Sequence, residues 1–128
     1  MTFEERAENA VLFKKDGKGN CCQAVTAALA DLTELSEENL HQIAAGFGGG
    51  MGTMEATCGA LVGAGIVAGL ATRGESTKTY TRQMLRAFKE KCGAVTCREL
   101  KAVTDGKPLC PCDECVRSAV LVYGEVMG

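Results

Sequence analysis

The chain has 128 residues, about the size of one ordinary domain and long enough to bury a core without cross-links. Hydrophobic residues make up 46%, the formal net charge is −2, Trp is absent, and four Phe and two Tyr are the only aromatics. With no basic run and few rings on which bases could stack, nucleic acid is not an expected partner.

The start, MTFEERAENAVLFKKDG, is charged and amphipathic, with neither an apolar h-region nor a small-residue cleavage site. It reads as mature sequence, and a cytoplasmic setting is expected. Residues 2–15 set Phe3, Ala7, Ala10, Val11 and Lys14 at helical spacing, with Thr2 as the cap and DGKGN as the stop. A second helix is expected over 21–33 behind the cap Asn20. A third opens at Ser36, with Glu37 and Glu38 behind it, and ends near Gly46. The stretch GFGGGMG (46–52) is too rich in glycine for a stable helix and predicts a loop with unusual backbone angles or a close approach.

Residues 58–72, CGALVGAGIVAGLAT, form the most apolar stretch. This falls short of the ~20 residues that a membrane-spanning helix requires, so a buried central helix and no membrane span are expected. Its i,i+4 pairs Gly59/Gly63 and Gly65/Gly69 let neighbouring helices approach closely, against a cost of about 1 kcal/mol per mid-helix glycine. Ser76 is expected to cap a polar helix running to about Lys91, with Tyr80, Met84, Leu85 and Phe88 inward. A short helix follows Thr96 and is broken at Gly106–Pro108. The last starts around Pro111 and carries Val116, Ala119, Val120, Tyr123 and Val126 on one side. No strand pattern of comparable quality appears. The expected fold is all-α: one domain over residues 1–128, a bundle of five to seven helices around a buried Gly/Ala-rich central helix.

Eight cysteines need an account. In a cytosolic chain they suggest metal or redox chemistry rather than a disulfide framework. His41, the one histidine, has no partner for a zinc pair and reads as an ordinary surface residue. Asn20, Thr57 and Thr96 are good N-cap residues, and each is followed at once by a thiol: Cys21, Cys58 and Cys97. Thr96 also has Glu99 three residues on, the pattern of a capping box. In CPCDEC, Pro111 suits the first helical position, which puts Cys112 in the first turn and Cys115 one turn later on the same face.

A helix start offers unpaired N–H groups and the positive end of the macrodipole, and both favour thiolate over thiol. Core filling gains nothing from that position, although one cysteine there by chance would be unremarkable. Cys22 lies on another helical face and reads as structural. Cys92 sits at a helix end, where the dipole disfavours a thiolate; it is either a resolving partner or core.

NCCQAV (20–25), GFGGGMG (46–52), CGALVGA (58–64), CRE (97–99) and CDECVRSA (112–119) occur in order and at suitable distances. Together they resemble the C_GCAxxG_C_C family of redox-active proteins, over about residues 3 to 126. The family's four recurring cysteines fall on Cys21, Cys58, Cys97 and Cys112, with Cys115 as an alternative fourth member. Thr57 stands where the family name has Gly before the cysteine. The resemblance implies a thiol site without naming a reaction.

Two kinds of chemistry follow. In thiol–disulfide exchange, Cys58 or Cys97 attacks a thiol or disulfide substrate or a redox partner protein, and another of the four resolves the mixed disulfide. Such a chain would be a thiol-disulfide oxidoreductase or a carrier. Gly48, Gly49 and Gly50 would let bare backbone approach a substrate sulfur or cradle an anion, or would simply make a tight interhelix turn. In the alternative, Cys21, Cys58, Cys97 and Cys112 hold zinc or an iron–sulfur cluster, although two well-separated C-x-x-C pairs are missing. A third reading is an interaction or subunit module, such as a homo-oligomer, in which the small-residue helix meets a partner. Met51 and Met54 would line a pocket or pack locally.

Overall fold

Thr2 opens the first helix with a reciprocal cap. Its hydroxyl accepts from the Glu5 N–H at 3.0 Å, while the Glu5 carboxylate accepts from the Thr2 N–H at 3.1 Å. The computed structural model describes residues 1–128, and this helix, α1, spans Phe3–Lys15. Asn20 and Gln23 repeat the device at 2.9 Å in both directions and start α2, Cys21–Leu29. The helix expected to reach residue 33 tightens into a 3₁₀ turn at Ala30–Leu32. Ser36 caps α3, Glu37–Ala44.

A left-handed passage follows: Gly49, Gly50, Met51 and Gly52 have φ of 64°, 61°, 59° and 74°. This is the unusual backbone that GFGGGMG requires. The apolar helix is α4, Gly59–Ala71, and α5 spans Thr77–Cys92. Ser76 does not cap α5 with its side chain; it takes φ 57° and makes no cap hydrogen bond. The inner face of α5 is Met84, Phe88 and Cys92, with Tyr80 half-buried and Leu85 at the surface.

A five-residue helix, α6 (Cys97–Lys101), leads into a feature not expected from the sequence. Val103–Thr104 (β1) pairs antiparallel with Lys107–Pro108 (β2). The turn residues Asp105 and Gly106 both have positive φ, as a tight two-residue hairpin demands. The hairpin folds the chain back so that the Cys110 N–H donates to the Leu100 carbonyl at 2.9 Å. The last helix, α7, spans Cys112–Met127.

Seven α-helices around one buried cluster of 25 residues make an all-α single domain, as expected. The terminal helices α1 and α7 pack along each other, and α2 packs on α4. The glycines of α4 act unequally. A Cβ on Gly63 would lie 2.9 Å from the Cys22 carbonyl oxygen, and one on Gly59 would lie 2.5 Å from that of Phe47. Gly65 and Gly69 meet α5 only at ordinary contact distance, 3.5 and 3.9 Å from threonine methyls. The close-packing role of the small-residue stripe is therefore spent inside the chain, on α2. Arg6, a buried cation, forks onto Asp31 (one arm at 3.0 Å) and donates to the Ala28 carbonyl at 3.1 Å, tying α1 to the end of α2. No helix is long and apolar enough to cross a membrane.

Candidate functional site

Thr57 and Thr96 are partners in an isolated antiparallel bridge. The Cys58 N–H donates to the Val95 carbonyl at 2.7 Å, and the Cys97 N–H donates to the Ala56 carbonyl at 3.1 Å. The two Thr-Cys stretches are thus strapped together, and α4 and α6 both begin there.

Their registers differ by one residue. In α6, Thr96 is the N-cap as expected, accepting the Glu99 N–H at 3.4 Å, and Cys97 is the first helical residue. The expected capping box is only half made, because the Glu99 carboxylate accepts from the Thr96 hydroxyl (2.8 Å) rather than from its N–H. In α4, Thr57 caps nothing. Cys58 is itself the N-cap residue but makes no side-chain cap hydrogen bond; the Ala60 and Leu61 N–H groups lie near enough to favour its thiolate. Cys21 follows the cap Asn20 in the expected way. Pro111 is the cap position of α7 rather than its first turn, with Cys112 next.

The structure brings these four thiols together. Cys21 and Cys97 each lie close enough to Cys58 and Cys112 to feel their charge. The four are nevertheless unlike one another. Cys21, Cys58 and Cys97 are buried, and only Cys112 is half-exposed. Helix starts were expected to favour thiolate throughout, yet burial pushes the Cys21 and Cys97 thiols up, and pushes Cys22 up to about 12. At Cys58, hydrogen bonding from Cys115 and the two N–H groups overcome burial and bring the thiol down to about 7.

Cys115 is the hub. It is fully buried on α7, and Cys58, Cys92 and the Cys110 carbonyl share its one S–H as alternative acceptors, which drives its own ionisation well upward. Cys92 is brought down to about 6, first by Cys115 and then, against burial, by Ser118 and Cys110. Cys110 goes up to about 11, because it is buried and acts as a donor to Cys92. Lys101, at the end of α6, donates to the Cys115 sulfur at 3.4 Å and to the Cys110 carbonyl at 3.3 Å. Burial opposes its charge, but the surrounding thiols prevail and raise its pKa.

The glycine loop presses against these sulfurs. The Gly49 N–H donates to Cys21. A Cβ on Gly59 would stand 2.7 Å from the Cys21 sulfur, one on Gly50 would stand 2.8 Å from Cys97 Cβ, and one on Gly48 would stand 2.3 Å from Asn20 Cγ. The close approach of Gly48–Gly50 is therefore to the chain's own thiol-bearing helix starts. Met51 and Met54 point outward, 60% and 40% exposed. Beside Cys58, an apolar groove of about 380 Å³ runs between α4 and α5, lined by Thr57, Leu61, Val62, Ile66, Met84 and Leu85 among others. His41 is exposed and touches Phe13 edge-on, away from the thiols.

All eight thiols are free, and no group of three or more His, Cys, Asp or Glu side chains is arranged to hold a metal ion.

Residues 19–126 match the family model described as "Putative redox-active protein (C_GCAxxG_C_C)". The chain belongs to the C_GCAxxG_C_C family. No curated protein and no solved structure matches it. The C_GCAxxG_C_C match spans all eight cysteines, the glycine loop and Lys101.

One member of the cluster and one pairing escaped the sequence reading. Lys101 lies one helical turn after Cys97, a spacing that could have flagged it. The partnership of Cys92 with Cys115 joins α5 to α7, and no local pattern announces it.

Proposed function

We propose that this C_GCAxxG_C_C protein carries out thiol–disulfide exchange, with Cys58 as the attacking thiolate and Cys115 as the resolving thiol. The observation that carries this reading is the seat of Cys58 at the N-cap position of α4 facing Cys115, whose hydrogen bonding is the largest influence lowering its thiol. The Cys58 thiolate attacks one sulfur of a substrate or partner disulfide, forming a mixed disulfide and expelling the other sulfur as a thiolate. Cys115 then gives up its proton and attacks the Cys58 sulfur. A Cys58–Cys115 disulfide forms, and the bound half leaves with the proton as a thiol. Lys101 is a positioning residue: its ammonium holds negative charge on Cys115 during that attack. Half-exposed Cys112 marks the side from which a partner arrives.

Cys97 is the weaker nucleophile of the two Thr-Cys thiols, because Thr96 rather than its own sulfur takes the free N–H. The metal reading on Cys21, Cys58, Cys97 and Cys112 draws no support from the donor geometry. Elemental analysis of protein purified without oxygen should give zinc and iron well below one per chain; a stoichiometric metal would replace the exchange reading.

The direct test uses glutathione disulfide at neutral pH with mass mapping of the products. Cys58→Ser should slow the first exchange step about 50-fold, the ionisation advantage of a thiol near 7 over an ordinary one. Cys115→Ser should leave that step and accumulate glutathione on Cys58. Undiminished exchange in Cys58→Ser would end the proposal.

A further inference from the structure

Of the four buried thiols outside the four that the motif picks out, three are not scattered: Cys92 closes α5, Cys110 follows the hairpin, and Cys115 faces both from α7. Cys92 is 6% exposed, Cys110 5% and Cys115 0%, so all three are about as buried as Cys58 at 3%, and Cys92 and Cys110 lie on the α5 side of Cys115. Specific contacts build the cluster. The Cys110 backbone is fixed by its N–H on Leu100, and its carbonyl accepts from Lys101 (3.3 Å) and from the Cys115 thiol (3.5 Å). Ser118, one turn after Cys115, donates to Cys92. A Cβ on Gly93 would meet the Leu109 side chain at 3.3 Å, so the end of α5 is seated on the segment that carries Cys110. Cys115 has one S–H and neighbours on both sides, Cys58 toward the glycine loop and Cys92 toward α5. A core needing only volume would not gather three thiols in one buried cluster with an ammonium on the Cys115 sulfur and on the Cys110 carbonyl.

We propose that Cys92 and Cys110 form a second, inner dithiol that accepts the disulfide made at Cys58–Cys115, so that Cys115 is the crossing point of a two-stage relay. The inference rests on the exchange reading above and adds a terminal site to it. In the first transfer the Cys92 thiolate attacks the Cys115 sulfur of the Cys58–Cys115 disulfide. The Cys92–Cys115 bond forms, the Cys58–Cys115 bond breaks, and Cys58 departs as a thiolate, ready to react again. In the second, Cys110 loses its proton and attacks the Cys92 sulfur. The Cys92–Cys110 bond forms, and Cys115 leaves and takes up that proton. The chain gains no electrons in either transfer; the only oxidant is the disulfide reduced at Cys58. Because Cys58 is restored, one chain can accept a second disulfide.

The test is a time course. Fully reduced protein is mixed with one equivalent of glutathione disulfide, quenched in acid, alkylated and peptide-mapped. The Cys58–Cys115 bond should appear first and decay as the Cys92–Cys110 bond rises. In Cys92→Ser the disulfide should stay at Cys58–Cys115. In Cys115→Ser the inner bond should form at least tenfold more slowly while Cys58 still takes up glutathione. The relay is overturned if Cys92 and Cys110 stay free thiols while Cys58–Cys115 persists in the unaltered protein, or if the inner bond forms as fast in Cys115→Ser. If Cys58 never enters a disulfide, the exchange reading fails as well. The time course on unaltered protein decides the matter even if a variant folds poorly.

Discussion

Cys58 and Cys97 look alike in the sequence. Each follows a threonine, each stands at the beginning of a helix, and the two stretches are hydrogen-bonded to one another. Both sulfurs are almost sealed from solvent, at 3% and 6% exposure. Yet one thiol is shifted down to about 7 and the other is shifted up. The Cys115 thiol, which faces Cys58 and not Cys97, accounts for most of this, and the helix register adds to it. The cap residue, not the one after it, receives the free N–H groups of a helix start. At α6 the threonine occupies that place; at α4 the cysteine does. A place at a helix N-terminus is therefore not enough by itself: the partner thiol decides the outcome at Cys58, and burial decides it at Cys97.

The most discriminating check on this contrast is site-resolved labelling of unaltered protein with iodoacetamide at pH 7. Cys58 should react about 50-fold faster than Cys97 at their matched exposure; equal rates would erase the distinction. The Cys58 rate should fall tenfold per unit as the pH drops below about 7, and Cys115→Ala should move that midpoint upward, since the main hydrogen-bond donor is gone. The sign carries over to stability. Folding depresses the Cys58 pKa from the ordinary 9.0, so its stabilising contribution is complete above pH 9 and is lost as the pH falls through about 7.

A second contrast concerns the residue after each thiol. Gly59→Ala should cost about 2–3 kcal/mol in urea unfolding, because the added methyl overlaps the Phe47 carbonyl and the Cys21 sulfur. Arg98→Ala, at a position whose ion pair with Glu55 is exposed on both sides, should change stability by less than about 0.5 kcal/mol. The threonines before the thiols differ as well. Thr96→Ala removes a helix cap and should cost about 1 kcal/mol. Thr57→Ala removes none and should cost under about 0.5 kcal/mol. Equal losses at the two threonines would contradict the register difference.

Much of the fold was legible because its signals are local. Caps at Thr2, Asn20, Ser36 and Thr96, the apolar run of α4 and the glycine stops all act within a few residues. Asp105-Gly106 is an equally local hairpin signal that was overlooked in favour of a plain break. The place of Cys21, Cys58, Cys97 and Cys112 at helix starts could be anticipated from a repeated motif position, but not whether they meet in space. Which of them ionises could not, because that depends on N–H groups captured at one-residue precision and on a donor from another helix. Cys92 shows the limit most clearly. At the end of α5 the dipole argues against a thiolate, and only Cys115, Ser118 and Cys110, brought from elsewhere by folding, reverse it.

The glycine passage has a consequence for chemical synthesis. From Gly49 to Gly52 four consecutive residues take the left-handed conformation, and only Met51 among them has a side chain. A natural residue held in that hand bears about 1–2 kcal/mol of steric cost. Replacing Met51 with its mirror-image enantiomer should remove that burden and stiffen the cover over Cys21 and Cys97 without altering a single sulfur.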